Sequence, residues 1–429
     1  MSQAPLETDL DKLADDYVSL ALHLHNHDPN PYIFIGDKAL QATIKADVRP
    51  LVDLDNDFRR LRDGLAAVVT GGSEATAYRR ALLVDRAKAL LVRSAILQGQ
   101  MPVSFDAEVE ALYSVRVPEM DEDHFRSLAA ELDQIIPGSG ALPERMSAYR
   151  DRFLVPHEHV ERIVSATLKE AQSRTHAHMD LPEGEGITLL MNNFGNFGAF
   201  AEYLGKGRTN VHFSTTMPFH VDRAIELSTH EAYPGHHVQA TLLEAEMIDK
   251  RGWREWTMLP LFGAHTTVAE GAANYGVNLS FGREERIAYD RDVVLPMAGL
   301  THLQPEIATY HRYVEYVERL NYARNEAARG ILYQGWTRAA AVAWLMEFGL
   351  ETRTLAEMRV TIIEAIRSYI VTYNYGLDWV THQIEGTNQP SESQKWARLR
   401  GLFEKPVMPL RDHREMPRPK AWSAAFWTT

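Results

Sequence analysis

The stretch ELSTHEAYPGHHVQ, residues 226–239, places His230 and Glu231 side by side in a segment with helical periodicity. A His-Glu pair on a helix is typical of zinc hydrolases of the H-E-x-x-H type, in which the second histidine follows four residues after the first. Here that position holds Pro234, and two further histidines follow it. The stretch therefore indicates a metal site whose second histidine lies beyond a disturbance in the helix.

The residues upstream predict where this helix begins. Thr215 or Thr216 can cap it, and Pro218 suits its first turn. Apolar or small side chains then recur on one face, namely Val221, Ala224, Ile225 and Ser228. We expect one long helix with His230 near its middle and a kink or bulge where Pro234 removes a backbone donor.

The choice of the second histidine depends on that kink. In a straight helix, residue 237 points within about 20° of residue 230 but lies roughly 10 Å further along the axis. Two imidazoles cannot share one zinc ion at ~2.1 Å across such a gap. If the helix bulges, His236 takes the place of the second histidine. We favour His236 and keep His237 as the alternative; the other histidine would support a ligand or contact the substrate.

A carboxylate ligand is found in HTTVAEGAANYGVNL, residues 265–279. Glu270 is followed by the small residues 271–273, which would let a second helix pack closely on the first. We predict Glu270 as the third ligand and Glu231 as the base that takes a proton from metal-activated water. A structural histidine cluster without a metal is the competing interpretation.

Composition restricts the possible partners. The chain has 429 residues, no cysteine and a net charge of −13, from 45 basic and 58 acidic residues. Without cysteine there are no disulfides and no thiolate metal ligands. The acidic balance argues against a nucleic-acid surface. The first residues lack the pattern of a signal peptide, and no apolar run approaches the ~20 residues of a membrane span. We expect a cytoplasmic protein with no nucleic-acid or membrane partner.

Most of the chain has helical periodicity. The clearest segments are 75–99, 121–136, 157–174 and 306–383. Strands are predicted at GITLLMNN, residues 186–193, and TNVHFSTT, residues 209–216, with a glycine-rich loop between them. The proline-rich segment 405–422 is predicted to be extended.

These patterns predict one mainly α domain over residues 1–429, with a small β-sheet beside the active-site helix. Within it we expect a helical N-terminal part (1–180), a metal-site core (181–290) and a helical C-terminal part (291–429).

Two motifs together resemble a known family. HEAYPGHHVQ followed by EGAANYG is similar to the H-E-x-x-P-G-H-H and E-G-W-A-x-Y motifs of the family called domain of unknown function 885, which is related to the gluzincin metallopeptidases. The resemblance implies a helical zincin-like fold in which His230, His236 and Glu270 hold one zinc ion and Glu231 is the base. The chain departs from the family at Ala272, where the motif has tryptophan, and it lacks a P-G-Q-A sequence near its C-terminal end.

The resemblance also implies roles for neighbouring residues. The segment GRTNVHFSTT, residues 207–216, would lie beside the cleft and pair with a substrate backbone. Tyr373, in a match to a Y-x-x-G motif, would stabilise the oxyanion, with Tyr375 and His237 as alternatives. The residues expected to contact substrate are His212, Ser214, Asn274 and Tyr375.

Three functions follow from these observations. The favoured one is a metallopeptidase that acts on small peptides with one Zn²⁺ per chain, or another divalent ion. The first alternative is a metal-dependent enzyme acting on a non-peptide amide or other small metabolite. The second is a helical binding protein without catalysis, which the base-like Glu231 argues against.

Overall fold

The computed structural model describes residues 4–194, 197–386 and 389–405, together with residues 407 and 409. Helices make up most of this part of the chain and the sheet is small, which confirms the mainly α fold. The segment predicted to be extended, 405–422, lies almost entirely outside the described residues. Among the helices that are described, none combines the length and the apolar character needed to cross a membrane.

Helices fill most of the chain before the sheet. They are α1 Ala4–His25, α2 Lys38–Ala46, α3 Leu51–Ala67, α4 Glu74–Leu97, α5 Phe105–Tyr113, α6 Glu122–Ile135, α7 Leu142–Asp151 and α8 His157–His176. The helices predicted at 75–99, 121–136 and 157–174 are therefore confirmed. Side chains cap two of them: Ser73 accepts a hydrogen bond from the amide of Thr76, and Asp121 accepts one from the amide of His124.

The strands form two small sheets. The strands are β1 Tyr32–Phe34, β2 Gly186–Asn192, β3 Ala199–Gly205, β4 Arg208–Ser214 and β5 Met258–Pro260. β1 pairs with β5, antiparallel. In the larger sheet β4 lies in the middle, parallel to β2 and antiparallel to β3, so that both Leu190 and Phe200 are opposite His212.

This topology corrects two predictions. The strands expected at 186–193 and 209–216 are present, but the interval expected to be a loop contains β3. Because β4 has a partner strand on each side, its backbone groups are already paired, and the prediction that it pairs with a substrate is wrong. Within the described residues, the unpaired edges of this sheet belong to β2 and β3.

The helices after the sheet are α9 Asp222–Glu231, α10 His236–Leu243, α11 Ala264–Ser280 and α12 Arg283–Tyr289. The predicted helix start at Thr215 or Thr216 is wrong, because α9 begins at Asp222. The hydroxyl of Thr216 instead donates to the carbonyl of Phe194 at 2.9 Å, which fixes the exit from the sheet. His230 consequently lies in the last turn of α9 and not in the middle of a long helix.

The C-terminal part is helical, as predicted for 306–383. Its helices are α13 Leu295–Ala298, α14 Ile307–Leu320, α15 Tyr322–Tyr333, α16 Arg338–Phe348, α17 Arg353–Ile366, α18 Val371–Glu385 and α19 Glu392–Glu404. Short segments of π or 3-10 helix lie between several of the α-helices, at Glu244–Lys250, Arg254–Thr257, Asp290–Val294, Thr301–Glu306 and Arg367–Ile370. The division of the chain at residues 180 and 290 stays a prediction.

Helix α11 is in close contact with α18 and also packs against α9. A Cβ atom built on Gly271 of α11 would lie only 2.1 Å from the carbonyl oxygen of Gly376 on α18. The two backbones can approach this closely only because both positions are glycine. This contact places Glu270 of α11 and Tyr373 of α18 in neighbouring turns of the two helices. One hydrophobic cluster, from Leu10 to Phe403, surrounds them.

Candidate metal centre

Helix α9, which carries His230, ends at a four-residue break, and α10 begins at His236. Inside the break the Tyr233–Pro234 peptide is cis, and the amide of Gly235 donates to the carbonyl of Thr229 at 2.9 Å. A Cβ atom on Gly235 would lie 1.9 Å from the carbonyl oxygen of His230, so only glycine fits. The predicted kink is therefore a complete break, which returns the ring of His236 to 4.6 Å from that of His230.

Three side chains converge at this point. The Nε2 atom of His230 lies 3.4 Å from Oε2 of Glu270, and Nε2 of His236 lies 3.6 Å from Oε1 of Glu270. One ligand atom from each residue lies within 4.8 Å of the other two. Two atoms bound at ~2.1 Å to one tetrahedral zinc ion are about 3.4 Å apart. The spacing therefore fits a single ion bound between the three side chains.

The two oxygens of Glu270 have different environments. Oε1 accepts a hydrogen bond of 2.6 Å from the hydroxyl of Tyr369. Oε2 is buried, and no described residue donates a hydrogen bond to it. Buried carboxylate oxygens are nearly always paired, so this one suits coordination of a cation beside His230. The residues present thus fit a divalent metal ion.

The charges of the three side chains are also those of a cation site. Burial opposes ionisation of Glu270, but His236, His230 and the Tyr369 hydroxyl hold its pKa at about 2. Burial opposes protonation of His230, yet Glu270 and Glu231 raise its pKa to about 9. Burial lowers the pKa of His236. At neutral pH the metal-free site therefore contains an ionised carboxylate beside a protonated His230, and a metal ion would displace that proton.

Asn274, one turn after Glu270 on α11, orients His230. Its Oδ1 atom lies 2.9 Å from Nδ1 of His230, and its Nδ2 group donates to the backbone carbonyl of Tyr373 at 3.0 Å. The first contact fixes the imidazole so that Nε2 faces Glu270, which is how metal-binding histidines are usually held. Both polar groups of Asn274 are engaged within the protein, and its predicted contact with substrate stays a prediction.

His237 lies outside this group. It is fully buried, with Nδ1 at 2.7 Å from the hydroxyl of Thr209 and Nε2 at 2.6 Å from Oε2 of Glu185. Both ring nitrogens are thus engaged away from Glu270. The structure therefore does not bring His237 to His230 and Glu270, either as the alternative second ligand or in its predicted catalytic role. His237 instead connects α10 to Thr209 in β4 and to Glu185, the residue that precedes β2.

Glu231 is the carboxylate adjacent to the three side chains. It is 6% exposed, and no described residue donates a hydrogen bond to its oxygens. It follows His230 directly, so its side chain starts about 100° away around the helix. Its charge acts on both His230 and His236. This is a suitable place for a group that exchanges a proton beside a metal ion.

The two tyrosines predicted on α18 differ in position. The ring of Tyr373 packs edge-on against that of Tyr369 at 5.4 Å, and the residue is 39% exposed. Its enclosure by protein and the charges of Glu270 and Glu231 raise the pKa of its hydroxyl. Tyr375 starts about 200° further around the helix. It is buried, and burial with the charge of Asp378 raises its pKa to about 12. The structure brings Tyr373 to the site but not Tyr375.

His212 and Ser214 also lie away from the three side chains. His212 contacts Asn192 and Glu202 through its two ring nitrogens, and Ser214 donates to the carbonyl of Phe194 at 2.9 Å. Side chains alternate along a strand, so both lie on the face of β4 opposite to Thr209, which contacts α10. Their predicted substrate contacts do not fit this orientation.

Sequence reasoning missed Tyr369, Glu185 and Thr209. Tyr369 precedes Tyr373 by four residues in the same segment, and that helical spacing was an available signal. Glu185 and Thr209 have no local signal, because their partner is 52 and 28 positions away along the chain.

Comparison with known proteins gives a limited result. No family model matches the chain, and no curated protein matches it significantly. Among solved structures, a protein described as a "putative lipoprotein" from Colwellia psychrerythraea is similar, with 16% identity and a TM-score of 0.48. The match covers 82% of this chain and 66% of that one. A "putative lipoprotein of unknown function" from Shewanella oneidensis is similar with 14% identity, a TM-score of 0.38, and coverage of 83% and 71%.

Proposed function

We propose that the protein is a metal-dependent hydrolase, of the zincin type, that cleaves small peptides. The observation that carries this proposal is the spacing of His230, His236 and Glu270 around the buried Oε2 of Glu270, which accepts no hydrogen bond from the described residues, with Glu231 directly beside them. A purely structural cluster would not need a second carboxylate without a protein partner. The resemblance of the two motifs to a gluzincin-related family supports the same chemistry.

In this proposal each residue has a distinct task. His230, His236 and Glu270 would hold the ion, and Asn274 and Tyr369 would keep two of them in position. A bound zinc ion would lower the pKa of a water molecule and polarise the scissile carbonyl. Glu231 accepts the proton of the attacking water and returns it to the leaving amine.

Tyr373 is the proposed oxyanion donor. It lies at an exposed position close enough to Glu270 and Glu231 for both charges to act on its hydroxyl. Because enclosure by protein and these charges raise the pKa of Tyr373, its hydroxyl keeps its proton at neutral pH and can donate a hydrogen bond. A donor aimed at developing negative charge typically contributes ~10²–10³-fold in turnover.

The proposal is tested by one variant and its control. Glu231→Gln keeps the size of the side chain but cannot accept a proton. We expect it to bind about one zinc ion per chain, as the unaltered protein does, and to lose ~10²-fold or more in turnover. The assay is hydrolysis of a panel of short peptides and acylated amino acids, with metal content measured by atomic spectroscopy. Glu284→Gln, at an exposed glutamate, should match the unaltered protein in both measurements.

Two outcomes of this experiment would contradict the proposal. If the panel is hydrolysed equally by both variants, water activation by Glu231 is wrong. If neither the unaltered protein nor Glu231→Gln binds a metal ion, His230, His236 and Glu270 form a structural cluster. The hypothesis of a cytoplasmic metallopeptidase is then abandoned.

A further inference from the structure

A buried carboxylate on α5 holds the segment that precedes α18. Glu108 is fully buried, and its Oε1 atom accepts hydrogen bonds from Nε of Arg367 at 3.2 Å and from the hydroxyl of Ser368 at 2.5 Å. Its Oε2 atom accepts hydrogen bonds from Nη2 of Arg367 at 2.7 Å and from the hydroxyl of Tyr333 at 2.5 Å. The side chain of Arg367 is itself only 15% exposed. Glu108 therefore fixes both Arg367 and the residue that follows it.

Arg367 has a backbone conformation that is rare for a residue with a side chain. It follows the last residue of α17, and its φ of 53° and ψ of −131° lie near those of the first central residue of a type II′ turn, where glycine predominates. Such a conformation persists only where the surrounding contacts determine it. Here the paired hydrogen bonds of the guanidinium group to Glu108 are those contacts. Glu108 is therefore the group that holds this backbone in place.

The segment held in this way carries the hydroxyl that contacts Glu270. Tyr369 lies two residues after Arg367 and donates from its hydroxyl to Oε1 of Glu270 at 2.6 Å. Its ring packs edge-on against that of Tyr373, the proposed oxyanion donor. Because rotation about the φ bond of Arg367 turns all of the backbone that follows, a relaxed Arg367 would carry the hydroxyl of Tyr369 away from Glu270.

Helix α5 also supports the helix that carries Glu270. The hydroxyl of Thr267, three residues before Glu270 on α11, donates to the backbone carbonyl of Tyr113, the last residue of α5, at 3.0 Å. The ring of Tyr113 packs edge-on against that of Tyr369, with ring centroids 6.1 Å apart. Both partners of the hydrogen bond to Glu270 are therefore placed by contacts with one helix.

We propose that Glu108 is a positioning residue of the metal centre. It holds Arg367 in this conformation, so that the hydroxyl of Tyr369 stays on Glu270 and Glu270 keeps the orientation in which it binds the ion. This inference rests on the proposed function, since it requires a metal ion at Glu270. Loss of a group that orients a metal ligand typically weakens metal binding by about 10–100-fold. Glu108 acts through such a group, so its loss should have an effect in the same range.

The first test asks whether Glu108 acts through Tyr369. The probe is zinc alone, and its dissociation constant for the full chain is measured by competition with a chelator of known affinity, so no substrate is needed. We expect Glu108→Gln and Tyr369→Phe each to weaken zinc binding by about 10-fold or more. The double variant should bind zinc within about 3-fold of Tyr369→Phe alone, because both changes remove the same contact with Glu270. Independent effects would multiply.

A second pair of variants separates the backbone from the side chain. Arg367→Ala and Arg367→Gly both lose the contact with Glu108, but only glycine adopts a positive φ without strain. Arg367→Ala should therefore weaken zinc binding by about 10-fold, and Arg367→Gly should recover most of that loss. Arg353→Ala, on α17 with a side chain 68% exposed, is the control and should bind zinc as the unaltered protein does. Should Glu108→Gln not fold, the two Arg367 variants decide the question.

Three results would overturn the proposal. They are an unchanged zinc affinity in Glu108→Gln, effects of Glu108→Gln and Tyr369→Phe that multiply, and equal zinc affinities for Arg367→Ala and Arg367→Gly. Each would reduce Glu108 to a support of the fold without influence on the metal centre through Tyr369.

Failure of the proposed function gives a different result. If the zinc affinities change as expected but the zinc-loaded protein hydrolyses no peptide, the positioning role of Glu108 stands and the peptidase assignment is wrong. If the unaltered protein binds no zinc, both proposals are overturned.

Discussion

Nε2 of His237 lies 2.6 Å from Oε2 of Glu185, whereas Nε2 of the adjacent His236 lies 3.6 Å from Oε1 of Glu270. Two consecutive histidines, whose side chains start about 100° apart around α10, therefore face different carboxylates. The break before α10 determines which of the two histidine rings lies close to His230.

This separation predicts different consequences for the two histidines. His236→Ala should lose the metal ion while the protein remains folded, because that side chain is partly exposed and is expected to act as a ligand. His237→Ala should retain the metal ion but lower the free energy of unfolding by on the order of 1–3 kcal/mol, since it leaves the buried hydroxyl of Thr209 without its partner and removes one of the contacts of Glu185, which Tyr233 and His176 still contact. Metal analysis and thermal unfolding of both variants check this. The reverse pattern would mean that His237 is the ligand.

The proximity of His230 and His236 could be predicted because their spacing is local. His230, Pro234 and Gly235 lie within six positions, and the steric effect of proline and glycine on a helix is known in advance. That information was enough to prefer His236. The small residues after Glu270 indicate a close contact between two helices, and this is why Glu270 is a candidate ligand. In the structure, Gly271 makes that close contact with Gly376.

Features that depend on distant contacts could not be predicted. The threonines before α9 look like caps, but the hydroxyl of Thr216 donates to the carbonyl of Phe194, two residues after the end of β2. The central place of β4 depends on β3, whose segment AFAEYLG lies in a glycine-rich interval that predicts a loop. Once β3 pairs with β4, the face carrying His212 points away from α10, and no pattern within β4 alone contains that information.

Asn274 should control the affinity for the metal ion without binding it. Asn274→Ala removes the group that holds Nδ1 of His230, and loss of such a contact typically weakens metal binding ~10–100-fold. Competition with a chelator of known affinity measures the change. Asn278→Ala, one turn further along α11, is the control and should bind metal as the unaltered protein does. Equal affinities for the two variants would exclude the positioning role.

Tyr373 and Tyr375 of α18 allow two matched Phe variants to be compared in turnover. Tyr373→Phe should lower kcat ~10²-fold with little change in stability, because it removes the proposed oxyanion donor from a partly exposed position. Tyr375→Phe should leave kcat unchanged, since its side chain starts on another side of the helix. Steady-state kinetics on any hydrolysed peptide would separate them. Loss of stability in Tyr373→Phe with unchanged turnover would assign it to the core.

The contact between α11 and α18 predicts a large effect of one methyl group. Gly271→Ala places a Cβ atom 2.1 Å from the carbonyl oxygen of Gly376, so the helices must separate. We expect a loss of about 1–3 kcal/mol or more in unfolding free energy and weaker metal binding, because Glu270 is the preceding residue. Gly401→Ala, in α19 with no atom within 4 Å of the new Cβ, should instead raise stability by about 0.5–1 kcal/mol. Thermal unfolding of both variants is the measurement.

The raised pKa of Asp378 predicts how the free energy of unfolding changes with pH. The residue accepts a hydrogen bond from the hydroxyl of Tyr322, and burial raises its pKa from 3.8 to about 7 despite that bond. Between these values the folded state holds a proton that the unfolded state has released. The unaltered protein should therefore lose stability from about pH 4 to pH 7, and then level off.

Asp378→Asn cannot ionise and can still accept the hydrogen bond from Tyr322, so it removes this loss. The variant should gain stability relative to the unaltered protein as the pH rises from 5 to 8, by an amount on the order of 2–4 kcal/mol, because each unit of pKa shift corresponds to about 1.4 kcal/mol. Melting temperatures of both proteins at pH 5, 6, 7 and 8 give the difference directly. A difference that stays constant over this range would show that Asp378 is already ionised in the folded protein at pH 5.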